Sequence, residues 1–260
     1  MIAVRQLRCV REGRVVLDDI SFAVKAGEFI GVLGANGAGK SSLLAALAGD
    51  LPLQTGDITL NGVALKQLTQ RQLARQRALL PQSPTLAFDL PVPEVVAMGA
   101  YPFEDLAAAQ IEELITQALA LADAADLAGR HYAGLSGGEQ QRVQFARVLL
   151  QILAANPSTE RLLLLDEPTS SLDPKHQHGL LSAVRELAQR EQLAVLVVLH
   201  EVNLAARWCD RLLLLNDGKM LADGKPAEVL TAQNMHALYG MSADVLEYPP
   251  GSGRQLVLFG

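Results

Sequence analysis

The chain of 260 residues is long enough to bury the core of one large α/β domain or two small ones. Half of its residues are hydrophobic and 19% are charged, which is typical of a globular protein and excludes a disordered one. Its 22 Lys and Arg against 28 Asp and Glu give a net charge of −6, and because nucleic-acid affinity comes mostly from cationic contacts to phosphates, we expect no nucleic-acid partner.

Neither the cysteines nor the apolar segments indicate a disulfide framework or a membrane span. Cys9 and Cys209 have no metal-ligand spacing and suit a reducing compartment. The apolar runs at residues 162–165 and 193–199 are much shorter than the roughly 20 residues that cross a bilayer. No long apolar run follows the N-terminal residues, so a signal peptide is not expected. A membrane role is therefore expected only through a partner.

The first eighty residues predict strands around one helix. Apolar residues alternate loosely over residues 2–24, and residues 28–33 form a short apolar run typical of a buried strand. An Ala- and Leu-rich helix is predicted over residues 41–48, where Gly49 ends it. Asn61-Gly62 predicts the turn of a hairpin.

After residue 80 the sequence changes character twice. A proline-punctuated stretch, with Pro84 among its prolines, is followed by Ala-rich helical sequence to about residue 155. From residue 162 onward, apolar strands and helices alternate, which favours a parallel sheet covered on both faces. The pattern predicts an α/β core interrupted by a helical insertion. A short final strand is expected near the C-terminus, after a loop with no assigned role.

Residues 34–41 match the phosphate-loop pattern G-x-x-x-x-G-K-[ST], between a predicted strand and a predicted helix. The glycines let successive backbone N–H groups face an anion, and the helix N-terminus adds partial positive charge. In this pattern the lysine reaches the β- and γ-phosphates of a nucleotide and the serine hydroxyl coordinates Mg²⁺. The candidate ATP-binding residues of this loop are Gly34, Asn36, Gly37, Ala38, Gly39, Lys40, Ser41 and Ser42.

Asp166 and Glu167 follow four apolar residues of a predicted buried strand. The carboxyl end of such a strand is where an α/β protein places its ligand site. Asp166 is therefore a candidate for holding Mg²⁺, and Glu167 is a candidate general base for the attacking water. An Asp-Glu pair alone often marks only a helix N-terminus, so the prediction depends on the phosphate loop being present as well.

A third motif, Ser136-Gly137-Gly138-Glu139, precedes a predicted helix and resembles the signature motif of ABC-transporter ATPases. Gln82 stands where that family has its Q-loop glutamine, residues 170–173 resemble the D-loop, and His200 resembles the switch histidine. All occur in the family's order between about residues 2 and 240.

The resemblance implies a P-loop NTPase cassette of the ABC type. Its RecA-like core has an N-terminal antiparallel β region and an inserted α-helical subdomain. In this interpretation residues 1–240 form a single ATPase domain, with its core at 1–81 and 158–240, the helical subdomain at about 82–157, and a tail at 241–260.

The resemblance also implies a mechanism. Two copies would pack head to tail, and each ATP would face the signature motif of the other copy. His200 would contact the γ-phosphate and, with Asp173, couple hydrolysis to closure of the dimer. Mg²⁺ would be held by Ser41, Gln82 and Asp166.

Finer resemblance indicates the hemin, cobalamin and iron–siderophore importer group, and hemin importer ATPases above all. The segments that carry it are residues 135–151, 152–161, 199–206 and 227–240. Ala100 replaces an arginine usual in the group, which puts a permease contact in doubt. A ferric-siderophore or cobalamin importer ATPase remains an alternative, as does a cytosolic P-loop ATPase or kinase without a transport role.

The importer interpretation implies permease subunits as partners and, indirectly, a periplasmic substrate-binding protein. The protein would be peripheral, at the cytoplasmic face of the inner membrane.

Two further predictions concern single side chains. ABC ATPases usually carry an aromatic residue before the phosphate loop on which adenine stacks, and here Arg11 occupies the aligned position. We expect Arg11, or the packing of Val10 and Val16, to replace that ring only partly. His176 and His178 are two residues apart on a predicted helix, and we interpret them as solvated surface residues.

Overall fold

The computed structural model describes residues 1–82, 86, 88–156 and 158–260. Pro84, predicted to belong to a proline-punctuated stretch, lies outside the described residues. The strands, in chain order, are β1 (Ile2–Arg11), β2 (Arg14–Val24), β3 (Phe29–Leu33), β4 (Thr55–Leu60), β5 (Val63–Ala64), β6 (Arg77–Leu80), β7 (Leu162–Asp166), β8 (Ala194–Val198), β9 (Arg211–Asn216), β10 (Lys219–Gly224), β11 (Ala243–Glu247) and β12 (Gln255–Phe259).

The α-helices of the described residues lie mostly in the middle and last parts of the chain. They are α1 (Lys40–Ala48), α2 (Gln70–Ala74), α3 (Val92–Ala97), α4 (Ala108–Leu121), α5 (Gly137–Ala154), α6 (Pro174–Glu191), α7 (Val202–Trp208), α8 (Pro226–Val229) and α9 (Ala232–Tyr239). Short 3-10 helices occupy Leu65–Gln67, Met98–Ala100, Ala125–Leu127 and Tyr132–Gly134.

The central sheet has the strand order β10-β9-β3-β8-β7-β6 within the described residues. Strands β9, β3, β8, β7 and β6 are parallel, and only β10 pairs antiparallel, with β9. Strands β3, β7 and β8 are buried along their whole lengths, because helices cover one face of the sheet and α1 with an antiparallel sheet covers the other. The parallel sheet predicted from continuous apolar strands is thus confirmed.

A second, antiparallel sheet of order β2-β1-β4-β5 packs over one face of the central sheet, within the part of the chain that the structure describes. Ile30 and Val32 of β3 join one apolar core with α1 and this sheet. Phe29 and Leu33, on the opposite face, join a second core built from α3 to α6. The hairpin predicted at Asn61-Gly62 is the β4–β5 turn, in which both residues have positive φ, 52° and 79°.

The C-terminal end of the chain is a hairpin. The predicted final strand is β12, but β11 pairs with it along its whole length, with Val245 opposite Val257. The sequence pattern missed β11 because Asp244 and Glu247 interrupt its apolar run. None of the helices among the described residues combines the length and the apolar character that crossing a bilayer requires.

Candidate functional site

The phosphate loop joins β3 to α1 and is closely packed on its inner side. Gly39, at φ 99°, is the N-cap of α1, and a Cβ at this position would lie 2.7 Å from the carbonyl oxygen of Val16. A side chain is therefore excluded at this position, because its Cβ would clash with the Val16 carbonyl and because the positive φ would be strained in any residue other than glycine. Ala38 is buried and accepts a hydrogen bond at its carbonyl from Gly218 N–H, 3.1 Å away.

Lys40 lies across this loop. Its Nζ donates to the carbonyl oxygens of Gly34 and Ala35 at 2.8 and 2.9 Å, and the residue is only 5% exposed. Burial lowers the pKa of the Lys40 ammonium, while the carboxylates of Glu167 and Asp166 oppose that shift. The loop thus presents a cation held by two neutral carbonyls, and an incoming phosphate would give it a stronger, charged acceptor.

Asp166 ends β7 and faces α1. The Ser41 hydroxyl donates to Asp166 Oδ1 at 3.3 Å, and Asp166 is buried. Burial raises the pKa of the Asp166 carboxyl, and the Ser41 hydrogen bond opposes the shift. A hydroxyl beside a carboxylate is a set of hard oxygen donors, which fits Mg²⁺.

Glu167 lies between Gln82 and His200. Its Oε2 accepts a hydrogen bond from Gln82 Nε2 at 2.5 Å, and its Oε1 is 2.5 Å from His200 Nε2. The Glu167 side chain is 9% exposed, whereas the His200 side chain is 43% exposed. Glu167 has a positive φ of 50°, a left-handed conformation that is uncommon for a residue other than glycine.

A pocket of about 510 Å³ brings most of the predicted residues together. This volume is within the usual range for small-molecule sites. The lining residues are Arg11, Val16, Asn36, Gly37, Gly39, Lys40, Ser41, Ser42, Gln82, Glu167 and His200. Arg11, which the sequence places near the adenine, thus lines the same pocket as the phosphate loop. Gly34, Ala38 and Asp166 are not in the lining.

The signature residues lie outside this pocket, at the start of α5. Ser136 caps the helix: Ser136 N–H donates to Glu139 Oε2 at 2.7 Å, and Glu139 N–H donates to Ser136 Oγ at 3.4 Å. These hydrogen bonds, with an ion pair to Arg130 at 2.6 Å, lower the pKa of Glu139 to about 2. Gly137 has open space around its α-carbon, and Gly138 approaches the carbonyl of Ser171. The helix terminus is therefore accessible from outside the chain.

Asp173 also lies outside the pocket, where it caps α6. Its Oδ1 accepts from the backbone N–H of His176 at 3.0 Å, and these contacts lower the pKa of Asp173. His176 lies at the surface, but its ring is only 26% exposed and contacts two carboxylates, 2.8 Å from Asp173 and 3.6 Å from Asp123. Spacing alone missed this position because Asp123 comes from a distant turn.

Two glutamines that the sequence did not single out hold the segment after Glu167. Gln141 Nε2, on α5, donates to the carbonyl of Pro168 at 3.4 Å. Gln177 Nε2, on α6, donates to the carbonyls of Thr169 and Leu172 at 3.2 and 3.1 Å. The one signal in the sequence is a polar residue, Gln141, on the apolar face of a predicted helix.

Among the described residues, no group of three or more His, Cys, Asp and Glu side chains could hold a metal ion.

Comparison with known proteins agrees with this geometry. A family profile described as ABC transporter matches residues 17–170. The hemin import ATP-binding protein HmuV of Bordetella pertussis is 53% identical over 98% of this chain and 97% of its own length. HmuV of Pseudomonas fluorescens is 47% identical over 96% of both chains.

Solved structures show the same architecture. An ATP-binding subunit of an ABC transporter is 28% identical to this chain, with a TM-score of 0.77 over 93% of this chain and 95% of that one. The match over residues 17–170 includes the phosphate loop, the signature motif and Glu167 in the order described above. The chain belongs to the ABC transporter family, as one of its ATP-binding, ATP-hydrolysing subunits.

Proposed function

We propose that this chain hydrolyses ATP to power hemin import through a separate permease. The observation that carries the proposal is the 53% identity to a hemin import ATP-binding protein over 98% of the chain. No feature of the described residues favours a siderophore or cobalamin instead, and the family relationship argues against an ATPase without a transport role.

The geometry of the pocket supports a separate role in ATP hydrolysis for each of its polar residues. Lys40 and the N–H groups of residues 34–41 would bind the phosphates. Glu167 would take the proton of the attacking water, because its carboxylate is the one that lines the pocket. Gln82 and His200 each contact one Glu167 oxygen, so they would fix its orientation. Mg²⁺, held by Ser41, Asp166 and Gln82, would neutralise developing phosphate charge.

The position of the signature motif supports a homodimer. Residues 136–139 lie at an accessible helix terminus outside the pocket of their own chain, so they would contact the ATP bound by a second copy. The arrangement of helices between β6 and β7 supports a helical subdomain at about 82–157 between core segments 1–81 and 158–240. We place the dimer on the permease, at the cytoplasmic face of the inner membrane, with a periplasmic binding protein as an indirect partner.

Growth of a deletion strain tests the cargo. Cells that lack the gene should fail to grow with hemin as the sole iron source, and the wild-type gene should restore growth. The Lys40→Ala gene, expressed at the same level, should not restore it. Growth on ferric siderophores and uptake of cobalamin should be unaffected. If hemin growth persists while siderophore growth or cobalamin uptake fails, the cargo assignment is wrong.

A further inference from the structure

The C-terminal hairpin, β11 and β12, is attached to the helix that directly follows His200. Asn203, in the first turn of α7, donates from Nδ2 to the carbonyl of Val257 at 3.0 Å. In return, Val257 N–H donates to Asn203 Oδ1 at 2.8 Å. Both ends of one side-chain amide are therefore used by the backbone of a single, buried residue of β12. A paired contact of this kind fixes both the distance and the orientation between helix and hairpin.

The same hairpin lies across a cavity from the His200 ring. The cavity has a volume of about 380 Å³, and its lining includes His200, Tyr239, Met241 and, from the hairpin, Phe259. Phe259 of β12 meets Tyr239 edge to face, with ring centroids 5.5 Å apart. The hairpin thus contacts α7 through hydrogen bonds and α9 through an aromatic pair.

Tyr239 extends these contacts to the phosphate loop. Burial raises the pKa of its phenol to about 12, and the hydroxyl lies near the Gly34 backbone without a hydrogen bond of normal geometry to any described residue. The hairpin therefore contacts α7, behind His200, directly, and it approaches the phosphate loop only through Tyr239 of α9.

His200 has few other means of being held. Its side chain is 43% exposed, and its one short polar contact among the described residues is the 2.5 Å approach to Glu167. It lies two residues after the end of β8 at Val198 and two residues before the start of α7 at Val202, which is buried. The backbone of His200 is therefore held between β8, whose following residue Leu199 donates to the Val32 carbonyl, and α7.

We infer that Asn203 is a positioning residue for the ATPase reaction. By joining α7 to the C-terminal hairpin, it holds the His200 ring against Glu167 from outside the pocket. Asn203 does not line the ATP pocket and acts only through His200. The inference deepens the proposed function and rests on it, since it assigns to residues 241–260 a part in the same hydrolytic site.

The test compares Asn203→Ala with Asn234→Ala. Asn234 Nδ2 also donates to a backbone carbonyl, that of Val229 at 2.7 Å, in the same end of the chain but without a described contact to α7. Asn203→Ala should lower the ATPase kcat at least fivefold and leave KM for ATP within twofold, because the phosphate loop is unchanged. Asn234→Ala should leave both constants within twofold. A melting curve for each variant, with the assay run below the midpoint so measured, separates this effect from loss of fold.

A second readout follows the His200 ring directly. Its ¹H–¹³C resonance, identified by its absence in His200→Ala, should move in Asn203→Ala and stay in place in Asn234→Ala. If Asn203→Ala does not fold, Asn203→Asp keeps the size and the acceptor but loses the donor, and it should also move the resonance and lower kcat.

The inference is wrong if the kcat of Asn203→Ala stays within twofold of the wild-type value, or if the His200 resonance does not move in that variant. Failure of the hemin growth test would overturn the proposed function instead, and it would leave this comparison intact because kcat and the His200 resonance are measured without a transport substrate.

Discussion

Replacement of Glu167 by glutamine tests the assignment of the general base. The change removes the negative charge and the proton acceptor but keeps the size of the side chain. General bases contribute about 10²–10⁴-fold to rate, which corresponds to about 2.7–5.4 kcal/mol of activation free energy. We expect Glu167→Gln to lose turnover by a factor in that range and to keep ATP binding.

The hydrogen bonds around Glu167 predict that the variant folds. One carboxylate oxygen of Glu167 accepts from Gln82 Nε2 and the other faces His200. A glutamine at position 167 that turns its N–H₂ group toward Gln82 would therefore place two donors against each other. Rotation of the Gln82 amide by 180° restores a donor–acceptor pair, and the net change is that of about one hydrogen bond, roughly 1 kcal/mol. For a chain of this size, that corresponds to a shift in Tm of about 2–4 °C.

The assay measures ATP turnover, nucleotide affinity and size by gel filtration on the same samples. The matched control is Glu201→Gln, an exposed carboxylate next to His200 that does not line the ATP pocket. Glu167→Gln should bind ATP and accumulate as an ATP-bound dimer, whereas Glu201→Gln should hydrolyse ATP at the wild-type rate. Near wild-type turnover in Glu167→Gln would show that another group takes the proton.

Three other changes test separate parts of the site. Ser136→Arg should abolish hydrolysis and leave ATP binding to a single copy intact, since Ser136 lies outside its own pocket. A mixture of the Ser136→Arg and Lys40→Ala proteins should regain at most one working composite site per dimer. Loss of ATP binding in the Ser136→Arg monomer would contradict the trans arrangement. Arg11→Tyr should lower KM for ATP severalfold with little change in kcat, because base–aromatic stacking contributes about 1–3 kcal/mol equally in ground and transition states. The control is Arg14→Tyr, at a residue outside the pocket. An unchanged KM in Arg11→Tyr would mean that Arg11 does not face the base. Asp166→Asn should raise the Tm of the nucleotide-free protein at pH 8, because burial raises the pKa of Asp166 and its ionised form therefore destabilises the fold at that pH. That gain should shrink as the pH falls toward the ordinary aspartate pKa of about 4, and a lower Tm at both pH values would contradict the reasoning.

The sequence by itself determined the parts of the site whose chemistry is local. A strand, a glycine loop and a helix are contiguous in residues 29–48, so the phosphate loop is visible as a pattern. The capping box of Ser136 and Glu139 is likewise a contact between residues three apart. Continuous apolar strands also predicted a buried parallel sheet, because the faces of such strands are both covered.

Only the tertiary structure decided which of these parts meet. Gln82 reaches Glu167 across 85 positions of sequence, and Asn203 reaches Val257 across 54. The order of β3, β8 and β7 in the sheet brings Lys40, Glu167 and His200 to one edge, and side-chain periodicity carries no information about that order. For the same reason the partner of β11 and the Asp123 contact of His176 emerged only from the fold. Local pattern fixes backbone conformation and chemical type, whereas contacts between distant segments depend on how the whole core packs.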